Sequence, residues 1–214
     1  MTNSTVTLDE LVDWLRRFKA LVGEQRSYLT ELDSAIGDAD HGANMDRGMT
    51  AVIAKIGDAP ASTIDELFKG TGMTLVSTVG GASGPLYGTF FLRFGTSAGP
   101  VTELDAEALG AALRAGLEGV VARGKAEAGD KTMFDAMSPA LDAYDASVTA
   151  GGSPSQAVHA AFEAAVAGRD STEPMTARKG RASYLGERSA GHLDPGATST
   201  TLLFQALDES LSGE

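Results

Sequence analysis

Apolar residues recur every three or four positions along almost the whole chain, which leaves room for helices and little else. Thr7 and Glu10 have the capping-box spacing, in which each satisfies a backbone donor of the other. Leu8, Leu11, Val12, Leu15, Phe18 and Val22 then follow on one face toward Leu29 and Leu32, predicting a first helix over about 8–32. A second is expected over about 44–55, and a third from the Ser62, Thr63, Asp65, Glu66 cluster to about 78. A fourth starts near Ser83-Gly84-Pro85, because proline suits a first helical turn, and carries Leu86, Phe90, Phe91 and Phe94. Four more are expected over about 105–125, 132–149, 154–168 and 197–211. No β-branched run with period two interrupts them. The expected fold is all-α, with eight helices in a single domain over residues 1–214, a length that suits one core.

Three segments escape the helical pattern: 33–43, 79–84 and about 170–196. Long irregular segments inside compact domains usually carry function. The last contains Arg178, Lys179, Arg181 and Arg188 in a chain whose 17 Lys+Arg face 29 Asp+Glu, a net charge of −12. That excess repels phosphate backbones and anionic lipid, so nucleic acid and membrane are excluded as expected partners, and an anionic ligand needs a local device to hold it. Cysteine is absent, which excludes disulfides, Fe–S clusters and thiolate zinc sites and fits a cytoplasmic protein. The start, Met1 to Glu10, is polar and acidic, unlike a signal peptide.

The first segment holds Asp33, Asp38 and Asp40. An extended stretch would point Asp38 and Asp40 to one side, with Asp33 folding back from the helix end. Carboxylates that converge repel one another unless a cation neutralises them, and short carboxylates suit a hard cation such as Mg²⁺. The alternative is a polar turn with helix caps. An EF-hand fails on register: counted from Asp38, Ala43 and Met49 stand where its glycine and glutamate belong. In the second segment, Gly80, Gly81 and Gly84 around Ala82 and Ser83 can present backbone N–H groups to a phosphate at a helix start, or Ser83 can be a plain N-cap. In the third, Asp194-Pro195-Gly196 reads as a turn before a helix, or as a backbone edge against a ligand with Arg178 or Arg181 supplying charge. Gly119 to Ala126 nearly spells a phosphate-binding loop, but it ends a helix and lacks the Ser/Thr ligand. His159 reads as structural; Met49, Met73, Met133 and Met137 read as core, with Met133 set apart by the polar turn before it. Taken together, the acidic turn, glycine nest and basic loop point to a metal–nucleotide site for phosphoryl transfer.

Five stretches resemble the nucleotide-binding L subunit of dihydroxyacetone kinases, in order along the chain: 36–45 (IGDADHGANM), 78–89 (TVGGASGPLYGT), 129–133 (GDKTM), 177–189 (ARKGRASYLGERS) and 194–199 (DPGATS). The resemblance implies a barrel of eight antiparallel amphipathic helices with the nucleotide at one end. It implies that Asp33, Asp38 and Asp40 ligate two Mg²⁺, and that His41, Asn44 and Ser83, with Gly81 and Ala82 of its loop, meet the phosphates of ADP or ATP. Gly129, Met133, Arg181, Asp194, Pro195 and Gly196 would line the rest of the pocket. No catalytic residue beyond these ligands is implied. The family holds dihydroxyacetone on a separate substrate-binding K subunit, and in phosphotransferase-system members a phosphohistidine-carrying M subunit recharges bound ADP. The resemblance favours that arrangement, with two alternatives: an ATP-exchanging subunit for another small ketose, and a nucleotide-loaded module that docks on a transcription regulator.

Overall fold

The computed structural model describes residues 4–212; residues 1–3 and 213–214, which belong to the expected domain and to its polar start, lie outside that range. The described residues form nine α-helices: α1 (Leu8–Glu24), α2 (Arg26–Ile36), α3 (His41–Asp58), α4 (Ile64–Thr78), α5 (Ser83–Ala98), α6 (Ala106–Gly124), α7 (Met133–Thr149), α8 (Pro154–Ser171) and α9 (Pro195–Ser212). A 3₁₀ segment spans Arg181–Ser189, inside the stretch expected to be irregular. Two three-residue strands, β1 (Thr5–Thr7) and β2 (Glu103–Asp105), pair antiparallel with Val6 opposite Leu104 and tie the chain start to the entry of α6.

The expected first helix is divided. Gln25, with ψ of 7°, separates α1 from α2, two residues after Gly23, a weak helix former. The second part runs past residue 32 to Ile36, so Asp33 lies inside a helix rather than in a loop. Thr7 accepts from the Glu10 N–H at 3.3 Å while Glu10 accepts from the Thr7 N–H at 2.7 Å, completing the capping box read from the sequence.

Each long helix packs on the next: α3 on α4, α4 on α5, and so on to α9, which returns against α1; α1 also packs on α3, closing the ring, with α2 as an extra arm. The centre is aromatic. Trp14 contacts Phe68, Phe91 and Phe94 with ring centroids 5.5–5.9 Å apart, and its indole N–H donates to the Leu203 carbonyl at 2.8 Å. The contact between α4 and α5 is close because Gly72 and Gly88 face each other; a Cβ on Gly72 would sit 2.6 Å from the Gly88 carbonyl oxygen. Met49 and Met137 are core, as expected, but Met73 is 56% exposed on the outer face of α4. No helix among the described residues is long and apolar enough to cross a membrane.

Candidate functional site

The α2–α3 corner brings the three aspartates together. Asp33 is buried in the last turn of α2, Asp38 is exposed and Asp40 half-buried, and one carboxylate oxygen from each lies within 4.8 Å of the others. The convergence does not come from an extended stretch. Ala39 takes a left-handed conformation (φ 63°), which folds Asp38 and Asp40 around a tight bend. Asp33 Oδ2 accepts the backbone N–H groups of Asp40 and His41 at 2.8 and 3.1 Å, so this carboxylate also caps α3. Oxygen-only donors at this spacing, two of them open to solvent, suit a hard divalent cation with room left for water or phosphate.

Facing the corner is the loop before α5. Only Gly81 of its glycines uses positive φ (66°). Gly80 and Gly84 are there for space: a Cβ on the first would press on the Asn44 amide, and one on the second would sit 2.3 Å from the Val79 carbonyl oxygen. Ser83 is the first helical residue, not an N-cap, and its hydroxyl goes elsewhere, to His41 Nδ1 at 3.0 Å. His41 Nε2 meets the Ser199 hydroxyl at 2.9 Å, and Ser199 in turn meets Tyr87 Oη at 2.7 Å and the Gly196 carbonyl at 3.1 Å. If Ser199 donates to that carbonyl it accepts from both Tyr87 and His41, which leaves Nδ1 to accept from Ser83. Burial lowers the His41 pKa against the opposing pull of Asp33 and Asp40, in keeping with a neutral ring, and burial pushes the Tyr87 hydroxyl up to about 12.

The basic segment closes the third side. Ala177 and Ala182 bury against Ile36, with Leu185 packed beside them, so an apolar contact docks the segment on the acidic corner. Arg181 Nη2 lies 3.0 Å from Asp38 Oδ2. Behind it, Asp194 Oδ2 accepts the Ala197 N–H at 2.7 Å at the start of α9, and burial pushes the Asp194 carboxyl up to about 7.

A cleft of about 180 Å³ is lined by Asp33, Asp38, Asp40 and His41 on one side, Gly81, Ala82 and Ser83 on the second, and Met133, Arg181, Asp194, Pro195 and Gly196 beyond. An apolar groove of about 450 Å³ continues from it past Pro85, Leu86, Val120 and Met133. Two expected residues stand behind this lining. Asn44 accepts from Arg47 Nη2 at 2.6 Å and backs Gly80, and the Gly129 N–H donates to Asp135 Oδ1 at 2.6 Å. The sequence reading assigns no role to Tyr87, Ser199 or Lys131, all of which border the cleft or its hydroxyl network. Four consecutive hydroxyl residues, Thr198 to Thr201, directly after the Asp194-Pro195-Gly196 turn and Ala197 were the available signal for Ser199. The phosphate-loop lookalike is the end of α6, with Lys125 as its left-handed C-cap.

A profile of the DAK2 domain matches residues 35–209. The ADP-binding subunit DhaL of the PEP-dependent dihydroxyacetone kinase of Escherichia coli (strain K12) is 48% identical over 198 residues, 92% of this chain and 94% of that protein. The ADP-binding subunit DhaL of the PTS-dependent dihydroxyacetone kinase of Lactococcus lactis subsp. lactis (strain IL1403) is 43% identical over 204 residues, 95% of this chain and 98% of that one. Among solved structures, the dihydroxyacetone kinase from C. freundii in complex with AMP-PNP and Mg²⁺ superposes with a TM-score of 0.72 at 28% identity, covering 93% of this chain and 33% of that longer one.

Proposed function

The chain belongs to the DAK2-domain family, as a DhaL-type subunit, and from this we propose that it is the ADP-binding subunit of a dihydroxyacetone kinase. It forms one domain over residues 1–214, a barrel of eight antiparallel helices made by α1 and α3–α9 with α2 as a spur. It works in the cytoplasm with a substrate-binding K subunit that holds dihydroxyacetone and a phosphohistidine-carrying M subunit that recharges bound ADP. Two relatives of nearly the same length, each named as the ADP-binding subunit of a PEP- or PTS-dependent kinase, support that arrangement over free exchange of ATP.

One observation carries the reading: three carboxylates converge at the mouth of a cleft whose other walls are a helix-start loop and a cationic segment. Asp33, Asp38 and Asp40 would hold two Mg²⁺, whose charge would neutralise phosphate oxygens and orient the transferring phosphoryl group. The donors fit that ion, being oxygens only and partly open to solvent. Ser83 and the Gly81 and Ala82 backbone would meet the phosphates at the start of α5, where the helix dipole favours an anion. His41, neutral and held between Ser83 and Ser199, would orient the Ser83 hydroxyl. Arg181, already beside Asp38, is placed to bridge from the carboxylates to a phosphate with its planar fork. Met133, Pro195 and Gly196 would bound the nucleoside, with its base in the apolar groove beside Leu86 and Val120.

The test is reconstitution with substrate subunit, phosphohistidine donor, dihydroxyacetone and substoichiometric ADP. Product in excess of nucleotide supports the cofactor role; product only with stoichiometric ATP supports an exchanging kinase; no turnover, with capture of a transcription regulator, supports a regulatory module. A second expectation concerns the basic segment, whose Arg178, Arg181 and Arg188 are exposed. Saturating Mg·ADP should slow tryptic cleavage there by about tenfold or more, since a ligand that binds only the closed form depletes the open form by a factor of about 1 + [L]/Kd. Equal cleavage rates would remove that segment from the nucleotide site.

A further inference from the structure

Lys131 is 1% exposed and takes a left-handed backbone conformation (φ 63°). Its ammonium makes no ion pair among the described residues. It lies instead among four backbone carbonyl oxygens: His192 at 2.6 Å, Thr172 at 2.9 Å, Met175 at 3.1 Å and Glu173 at 3.4 Å. Carbonyl dipoles in place of carboxylates are the surroundings of a desolvated monovalent cation. The cost of burying an ammonium is large unless its donors are satisfied, and here there are more acceptors than its three N–H bonds can use. Desolvation pulls the Lys131 pKa down, while the nearby Asp194 and Glu173 oppose it.

The four carbonyls come from the two ends of one segment. Thr172, Glu173 and Met175 lie where the chain leaves α8, and His192 lies two residues before Asp194. Between them runs the stretch that carries Lys179, Gly180 and Arg181 into the cleft. Neighbouring bonds pull the same way: Arg178 donates its N–H to the Asp130 carbonyl at 3.1 Å, and the Asp194 N–H donates to the Thr172 hydroxyl at 3.0 Å. One ammonium thus ties the turn before α7, the basic segment and the entry to α9.

We propose that Lys131 is a positioning residue for the nucleotide, its ammonium occupying a carbonyl cage of monovalent-cation type that fixes the basic segment and the Asp194-Pro195-Gly196 edge against the cleft. The proposal rests on the nucleotide reading above. It sets Lys131 apart from the phosphate-contacting cations: the residue borders the cleft, but its ammonium is turned onto the loop carbonyls and acts through the loop.

The test is Lys131→Ala, with Lys131→Met as a second variant that keeps the apolar stem. Calorimetry with Mg·ADP is run in ammonium chloride and in choline chloride at matched ionic strength, together with tryptic cleavage of the basic segment in the absence of nucleotide. The expected results in choline are affinity lower by about tenfold or more, the loss of several hydrogen bonds to a charged group, and faster cleavage. Ammonium, small enough for the vacated cage, should restore most of both, while the parent protein responds equally to the two salts. Affinity and cleavage within twofold of the parent would overturn the proposal, as would losses that ammonium does not reverse. If neither variant folds even in ammonium, the lysine serves the whole fold and the proposal fails. A parent protein that binds no Mg·ADP would sink the nucleotide reading instead, and the cleavage comparison would still test the cage.

Discussion

Asp38→Asn is expected to lower the affinity for Mg·ADP by about a hundredfold or more, some 2.7 kcal/mol, while the protein melts close to its parent temperature. The two halves of that expectation come from different features of one side chain. Asp38 is exposed, and the partner the structure gives its carboxylate is Arg181 at 3.0 Å. Exposed ion pairs of this kind contribute about 0–1 kcal/mol to stability, so little is lost when the charge is removed. Asparagine has nearly the same shape, so the bend at Ala39 should persist. What goes is one of three negative charges that must neutralise the divalent ions, and a neutral amide is a poor ligand for a hard cation. Asp33→Ala gives the contrast. Its Oδ2 takes two backbone N–H groups from the first turn of α3, inside the protein, so its removal should weaken binding and also destabilise the corner by about 1–3 kcal/mol. Calorimetry and thermal melting on both variants separate the two roles. Unchanged Mg·ADP binding by Asp38→Asn would end the case for a metal site at this corner.

What could be read from the sequence follows the range of the interactions involved. The helices were legible because each buries a stripe set by local spacing, and Thr7 with Glu10 marked the start of α1 three residues apart. The acidic corner was legible because Asp33, Asp38 and Asp40 fall within eight positions. The route by which they meet was not, since nothing in alanine announces the left-handed conformation that Ala39 adopts. Glycines hide their reasons in the same way: a Gly-rich loop does not say which of its glycines turn the chain and which make room, and that Gly80 and Gly84 serve close packing shows only when Asn44 and Val79 are in place. The hydroxyl network was hidden by distance. His41 and Ser199 stand 158 positions apart, and Lys131 reaches a carbonyl 61 positions away. A lysine in a polar turn reads as solvated, and only the return of the basic segment over it turns it into a buried one.

Gly42→Ala shows how the same close packing reaches function, and it is expected to be severe for a change of one methyl group. Gly42 is the second residue of α3, buried where that helix crosses the first turns of α2. A Cβ there would lie 2.1 Å from the Arg26 carbonyl oxygen, 2.6 Å from the Thr30 hydroxyl and 3.0 Å from the Thr30 nitrogen. Two of these three atoms are backbone, so no rotamer change can make room and the N-terminus of α3 must move. That turn carries the N–H groups held by Asp33 and the His41 ring held between Ser83 and Ser199. Overpacking of this kind costs about 1–3 kcal/mol of stability. Displacing reacting groups by about 1 Å can cost about a hundredfold in rate, so turnover should fall further than the melting temperature suggests. Gly57→Ala is the matched control. It lies in the same helix with nothing within 4 Å of its new Cβ, and alanine there should stabilise the helix by up to about 1 kcal/mol and leave Mg·ADP affinity and turnover unchanged. If Gly42→Ala behaves like Gly57→Ala in turnover and in binding, the crossing of α2 and α3 does not set the position of the carboxylates, and the corner tolerates more movement than its contacts imply.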